Sequence, residues 1–194
     1  MPRKPGNGAA GPSHRTIALT GFMGCGKSSV GKELSKIIGG DFIDLDDFIE
    51  KREGMTIPEI FSSGGEPLFR SIERECLESI LLPPLREKTL TLSLGGGTLM
   101  APGCVGLIKE NAFCVYMRAR LETLADNLLN DFSGRPMLAG INEEGLPLRE
   151  ALMNRISRLM AVRSSVYEDS ADLIIDIDGL DSLRTANFIA GLCR

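Results

Sequence analysis

Histidine is almost missing: His14 is the only one in 194 residues. No histidine-based zinc site and no His-dependent catalytic triad can be assembled from it. The five cysteines (Cys25, Cys76, Cys104, Cys114 and Cys193) form no CxxC pair, follow no metal-ligand spacing and are odd in number. The expectation is free thiols in a reducing cytoplasm. No apolar run approaches the roughly 20 residues of a membrane span, so no membrane partner is expected. Nor is there a surplus of positive charge. Lys and Arg number 22 against 26 Asp and Glu, a formal net charge of -4, which argues against non-specific binding of nucleic acid. Any anion must therefore be captured locally, by backbone amides and a few cations. There is no internal repeat.

What is present has the order of an α/β domain. Residues 1–15, rich in Gly and Pro and without an apolar signal core, read as a flexible tail. Residues 16–194 read as a single domain large enough to bury a real core. "TIALT" (16–20), "DFIDL" (41–45), "TLTLSL" (89–94), "AFCVYM" (112–117) and "ADLIID" (171–176) are short apolar or β-branched runs. Between them lie helical patterns. One follows Gly26 and stops at Gly39-Gly40; Thr56 and Glu59 form a capping box for another. A helix from Glu66 carries Phe69, Ile72, Cys76 and Ile80 on one face and closes at Pro83-Pro84. Others span about 121–129 and 146–167, and Asp181 can cap a last one. Strands alternating with helices predict a three-layer α/β/α fold around a five-stranded parallel sheet.

Gly21-x-x-x-x-Gly26-Lys27-Ser28 matches the P-loop pattern in full, with a strand before it and a helix after it. Its glycines turn backbone amides toward an oxyanion, and the helix N-terminus adds a favourable dipole. Lys27 reaches the β- and γ-phosphates of a nucleoside triphosphate and the Ser28 hydroxyl coordinates Mg²⁺. Cys25 sits inside this loop, where it either fills a slot for a small residue or carries a thiol activated by the helix N-terminus.

Many P-loop proteins end a hydrophobic strand with an Asp that helps to hold Mg²⁺. "TLTLSL" instead runs into Gly95-Gly96-Gly97 with no acid. The acids lie earlier, in "DFIDLDDF". On a strand Asp44 and Asp46 would share one face, at the carboxyl end where parallel sheets bind ligands. One would orient a water on Mg²⁺ and the other accept the proton of an attacking hydroxyl. The competing reading is that Asp46 or Asp47 caps the next helix.

Three arginines call for partners. Arg163 falls within an apolar stripe of Leu152, Ile156, Leu159, Met160, Val166 and Tyr167. A guanidinium on such a face demands an anion, either a structural carboxylate or a bound carboxylate or phosphate. Arg70 has Glu66 and Glu73 within helical reach. Arg135, in "SGRPML", lies in a polar interruption (about 127–145) that reads as a plain loop or as a lid closing on a transferring phosphate.

Taken in order, "GFMGCGKSS", "FIDLDDFIE", "GMTIPEIFSSGGEPLFRSIE", "LSLGGGT", "GRPML" and "RSSVYEDSADLIID" resemble the shikimate kinase family of P-loop kinases from Thr16 to the C-terminus. The resemblance implies transfer of the ATP γ-phosphoryl group to the 3-hydroxyl of shikimate, by a monomer with one Mg²⁺ per site. It implies that Gly24, Cys25, Gly26, Lys27, Ser28 and Ser29 hold ATP, with Ser28 on Mg²⁺ and Asp44 acting through a metal-bound water. Asp46 would bind the shikimate hydroxyls and act as the base. Arg70 and Arg163 would grip the substrate carboxylate, Gly95 and Gly96 would offer backbone, and Arg135 would be the lid arginine on the ATP phosphates. A segment of about 44–80 would bind substrate. Two departures stand out: "ADNLLNDFSG" lacks the basic residue the family often carries near adenine, and Ser165-Val166 replaces its usual Pro-Leu. The rivals are a gluconate or nucleotide kinase of the same fold, a GTP switch and a nucleotide-binding module without catalysis. The GTP switch is disfavoured by the lack of an Asn-Lys-x-Asp motif.

Overall fold

The computed structural model describes residues 16–82, 87–130 and 146–193. The tail at 1–15, Pro83 and Pro84, Arg135 and most of the expected lid lie outside the described residues. Five parallel strands form one sheet: β1 (Thr16–Thr20), β2 (Asp41–Asp44), β3 (Leu90–Ser93), β4 (Phe113–Arg118) and β5 (Leu173–Asp176), in the order β2-β3-β1-β4-β5. The three inner strands are buried on both faces, as parallel strands under two helical layers must be. Along β1, Ile17 and Leu19 join one core while Ala18 joins the other. Along β4, Val115 and Met117 alternate in the same way with Cys114 and Tyr116.

One helical layer contains α1 (Lys27–Ile38), α5 (Leu121–Asn130) and α7 (Ser182–Leu192); the other contains α2 (Leu45–Glu53), α3 (Ile57–Leu81) and α4 (Cys104–Asn111). The long α6 (Leu148–Ser170) sends Leu152 and Ile156 into the first core and Tyr167 into the second. Among the described residues no helix is long and apolar enough to cross a membrane.

Local chemistry sets the boundaries. Gly39 ends α1 in the left-handed region (φ 64°), and the Gly40 amide donates back to the Ser35 carbonyl at 2.8 Å. The Thr56–Glu59 capping box opens α3 with both of its hydrogen bonds made, and Asp181 caps α7 through the Arg184 amide. The two helical stretches expected on either side of Gly64-Gly65 are both present within α3, separated by a kink at Gly65 (φ 68°, ψ -169°), a conformation that only glycine adopts readily. The second half buries Phe69, Cys76 and Ile80. Two corrections concern β2 and its sequel. The strand stops at Asp44, and Asp46 belongs to the first turn of α2. Neither Asp46 nor Asp47 is the cap: Asp44 is, its side chain accepting from the amides of both.

Candidate active site

β1 delivers the glycine loop to the carboxyl end of the sheet, between β3 and β4. Gly21 is held at φ 147° against the chain of β4, where an added Cβ would lie 2.6 Å from the Met117 carbonyl oxygen. Gly24 and Gly26 are both left-handed at φ 82°. Gly26 is the N-cap of α1 and supplies no side chain to cap it. The first turn of α1 thus keeps backbone donors for a ligand rather than for its own sequence. Lys27 is buried, its ammonium donating to the carbonyls of Gly21 (3.0 Å) and Phe22 (3.1 Å). From α5, Asn127 Nδ2 donates to the Gly24 carbonyl at 2.8 Å.

Cys25 accepts from the Lys27 ammonium, Sγ to Nζ 3.8 Å. Its side chain is 2% exposed, packed in the core under the loop, and its amide donates to the Phe22 carbonyl at 3.3 Å. That burial favours the slot-filling reading over an accessible, activated thiol.

Beside the loop, Ser28 Oγ donates to Asp44 Oδ2 at 2.5 Å. The other Asp44 oxygen caps α2, so a single carboxylate holds the helix with one oxygen and faces the phosphate loop with the other. Adjacent hard oxygens at the mouth of a P-loop are a donor set that suits Mg²⁺. Although Asp46 is not on the strand, it reaches the same cleft from the helix. Burial pushes its carboxyl up to about 6, with Asp44 and Glu73 adding to the shift and Lys27 opposing it.

The cleft has a volume of about 670 Å³. Gly24, Gly26, Lys27, Ser28 and Ser29 line it on one side, Asp44, Asp46 and Gly96 on the other. Behind Gly96 the triple glycine organises the rest. A Cβ on Gly95 would lie 2.9 Å from Asp46 Oδ1 and 3.2 Å from Glu73 Oε1; one on Gly97 would lie 2.5 Å from Arg70 Nη2. One on Gly96 would lie 3.1 Å from the Met23 nitrogen, so the triple glycine touches the phosphate loop itself. Arg163 Nη1 donates to the Gly96 carbonyl at 3.3 Å. Asp46, Arg70 and Arg163, spread over 118 positions of sequence, therefore converge on three consecutive glycines.

The two arginines differ. Arg70 donates to Glu73 at 2.6 Å and to Glu66 at 3.0 Å. Burial works against its charge, but Glu73 and Glu66 outweigh that and hold the guanidinium above its ordinary pKa. Glu73 is 0% exposed and also accepts from Thr98 Oγ1 at 2.6 Å. Sequence offered Glu73 only as one of two helical neighbours; the Thr98 contact, 25 positions away, left no sequence signal. Arg163 is 6% exposed and makes no ion pair among the described residues. It lies over the Phe22 ring, 5.8 Å from the centroid. A buried guanidinium with no counter-charge is prepared for an anionic ligand.

The family model described as shikimate kinase matches residues 23–191. A shikimate kinase of Chlorobium chlorochromatii is 40% identical over 162 residues, covering 84% of this chain and 82% of that protein. One of Thermodesulfovibrio yellowstonii is 38% identical over 175 residues, covering 90% and 92%. Among solved structures, the shikimate kinase of Acinetobacter baumannii in complex with shikimate superposes with a TM-score of 0.81 at 28% identity, covering 93% of each chain. That of Aquifex aeolicus gives 0.68 at 27% identity, covering 90% and 92%. The family-model match over residues 23–191, with relatives about 40% identical over most of both chains, places this protein in the shikimate kinase family.

Proposed function

We propose that the cleft transfers the γ-phosphoryl group of ATP to the 3-hydroxyl of shikimate, giving 3-phosphoshikimate and ADP. The observation that carries this reading is the convergence of Asp46, Arg70 and Arg163 on Gly95–Gly97, which in turn rests on Met23 of the phosphate loop. An acceptor bearing a carboxylate and hydroxyls fits such a pocket. The carboxylate meets Arg70 and Arg163, and a hydroxyl then falls to Asp46.

Phosphoryl transfer needs positioning and charge neutralisation more than covalent help. The amides at Gly24, Gly26, Ser28 and Ser29 hold the triphosphate. Lys27 exchanges its loop carbonyls for phosphate oxygens. Ser28 and Asp44 would hold Mg²⁺, Asp44 through a water, and the ion supplies neutralisation of the β- and γ-phosphates. Asp46 orients the acceptor hydroxyl and takes its proton as the oxygen attacks phosphorus in line. Its raised pKa suits that task near neutral pH. Arg135, outside the described residues, takes the contact with the transferring phosphate on the strength of the "GRPML" resemblance. The chain acts as a monomer in the cytoplasm on freely diffusing substrates.

The test is an ADP-release assay with ATP and Mg²⁺ against shikimate, gluconate and nucleoside monophosphates. Turnover with shikimate well above the others is the expected outcome. Turnover with gluconate or a nucleotide and none with shikimate overturns the reading.

A further inference from the structure

The chemistry above leaves the hydroxyl of Tyr167 without a task. Tyr167 is 0% exposed and lies one turn beyond Arg163 on α6, so both side chains leave the same face of the helix. Its ring packs on Tyr116 of β4, with centroids 5.2 Å apart and planes tilted by 31°. That contact fixes the ring whatever its oxygen does. The hydroxyl donates to the Gly96 carbonyl. Arg163 Nη1 donates to the same carbonyl. Three groups thus stand at the corners of a triangle: an arginine and a phenol, both donating to the backbone oxygen of the middle glycine.

Two of its corners are groups that the substrate would meet. The Gly96 backbone lines the cleft, and Arg163 stands directly behind it. A guanidinium on a long side chain has many rotamers, and holding one of them is expensive unless neighbours exclude the rest. The Gly96 carbonyl is the anchor of Arg163, and the phenol, donating to that same oxygen, holds the anchor in place. Burial pushes the phenol pKa up, so it remains a proton donor across the neutral range.

We propose that Tyr167 is a positioning residue for the substrate half of the site, aiming Arg163 and holding Gly96 so that clamp and backbone meet the substrate carboxylate in a fixed relation. Tyr167 acts only through those two groups. The inference rests on the reading of this half as the shikimate site. A phenol that merely satisfies its own buried oxygen would act on stability and leave the two substrates equally affected.

The experiment uses full-length enzyme and three variants: Tyr167→Phe, Arg163→Lys and the double variant. KM is measured for each substrate with the other saturating, and shikimate affinity by calorimetry without nucleotide. Tyr167→Phe keeps the ring on Tyr116 and removes one oxygen. Its expected effect is a rise of about fivefold in shikimate KM and Kd, the scale of one lost hydrogen bond, with ATP KM within about twofold of wild type. The double variant is expected to be no worse for shikimate than Arg163→Lys, because the phenol works through the guanidinium. Unchanged shikimate affinity in Tyr167→Phe, equal rises in both KM values, or strictly additive losses in the double variant each overturn the proposal. Wild-type enzyme inactive toward shikimate would instead overturn the site reading, and this inference with it.

Discussion

Burial beside Asp44 and Glu73 pushes the Asp46 carboxyl from 3.8 up to about 6, and this has consequences for rate and stability alike. As the proposed base, Asp46 must be ionised to accept a proton. Hence kcat/KM for shikimate is expected to fall below about pH 6, as measured in a pH series. Asp46→Asn should reduce kcat by about 100-fold or more while changing shikimate KM far less. For stability the sign is opposite to that of a salt-bridged carboxylate. Between about pH 4 and 6 the folded chain binds more protons at this site than the unfolded chain, so stability falls as pH rises through that window. Above it the loss is constant. Asp46→Asn should therefore be more stable than wild type at pH 7.5, by roughly 1–2 kcal/mol after allowing for solvent in the cleft, and the difference should vanish near pH 4. A thermal melt at the two pH values checks it. Arg163→Ala should raise shikimate KM by about 30-fold or more, since the proposed charged partner of the carboxylate is removed, and leave ATP KM nearly unchanged. Arg163 was legible in sequence because a charge interrupts an apolar stripe. Tyr167 was hidden in the same stripe, because a tyrosine there looks like any other buried ring.

Among the elements, legibility followed the presence of local signals. The capping box at Thr56, the glycines ending α1 and Asp181 before α7 are side-chain or φ requirements that can be read one residue at a time. α4 was missed because it has none of these: eight residues, with Gly103 as an N-cap that makes no side-chain hydrogen bond. α2 was visible only as a competing reading of Asp46 and Asp47, and its actual cap is the residue expected to serve the metal. α3 depends on its break. At Gly65 the backbone has φ 68° and ψ -169°, so Gly65→Ala should cost at least about 1 kcal/mol in urea unfolding and raise shikimate KM by misdirecting Arg70. On the nucleotide side, α5 clasps the loop through Asn127 and the Gly24 carbonyl. Asn127→Ala should raise ATP KM several-fold, about 1 kcal/mol for one lost hydrogen bond, without a matching rise for shikimate.

For the molecule as a whole, the number and direction of the strands could be read from alternation, but their order could not. β1 lies between β3 and β4 although β2 follows it in sequence, and pairings between distant segments leave no mark in either. That order is what puts the loop after β1 beside the glycines after β3. Because Gly96 abuts the Met23 backbone and Arg163 lies over Phe22, each ligand would rest against part of the surface proposed for the other. Binding is therefore expected to be cooperative. In thermal shift experiments, shikimate with a non-hydrolysable ATP analogue should raise Tm by more than the sum of the separate shifts, and each should tighten the other by the same factor.

A run of three identical residues looks interchangeable, yet Gly95, Gly96 and Gly97 have different neighbours: the carboxylates of Asp46 and Glu73, the backbone of Met23 and the fork of Arg70. One methyl group, moved along the run a residue at a time, would thus act as a selector among base, nucleotide loop and carboxylate clamp. Alanine at 95 would slow turnover, at 96 would weaken ATP together with shikimate, and at 97 would weaken shikimate alone. Three kinetic phenotypes would come from one and the same chemical change.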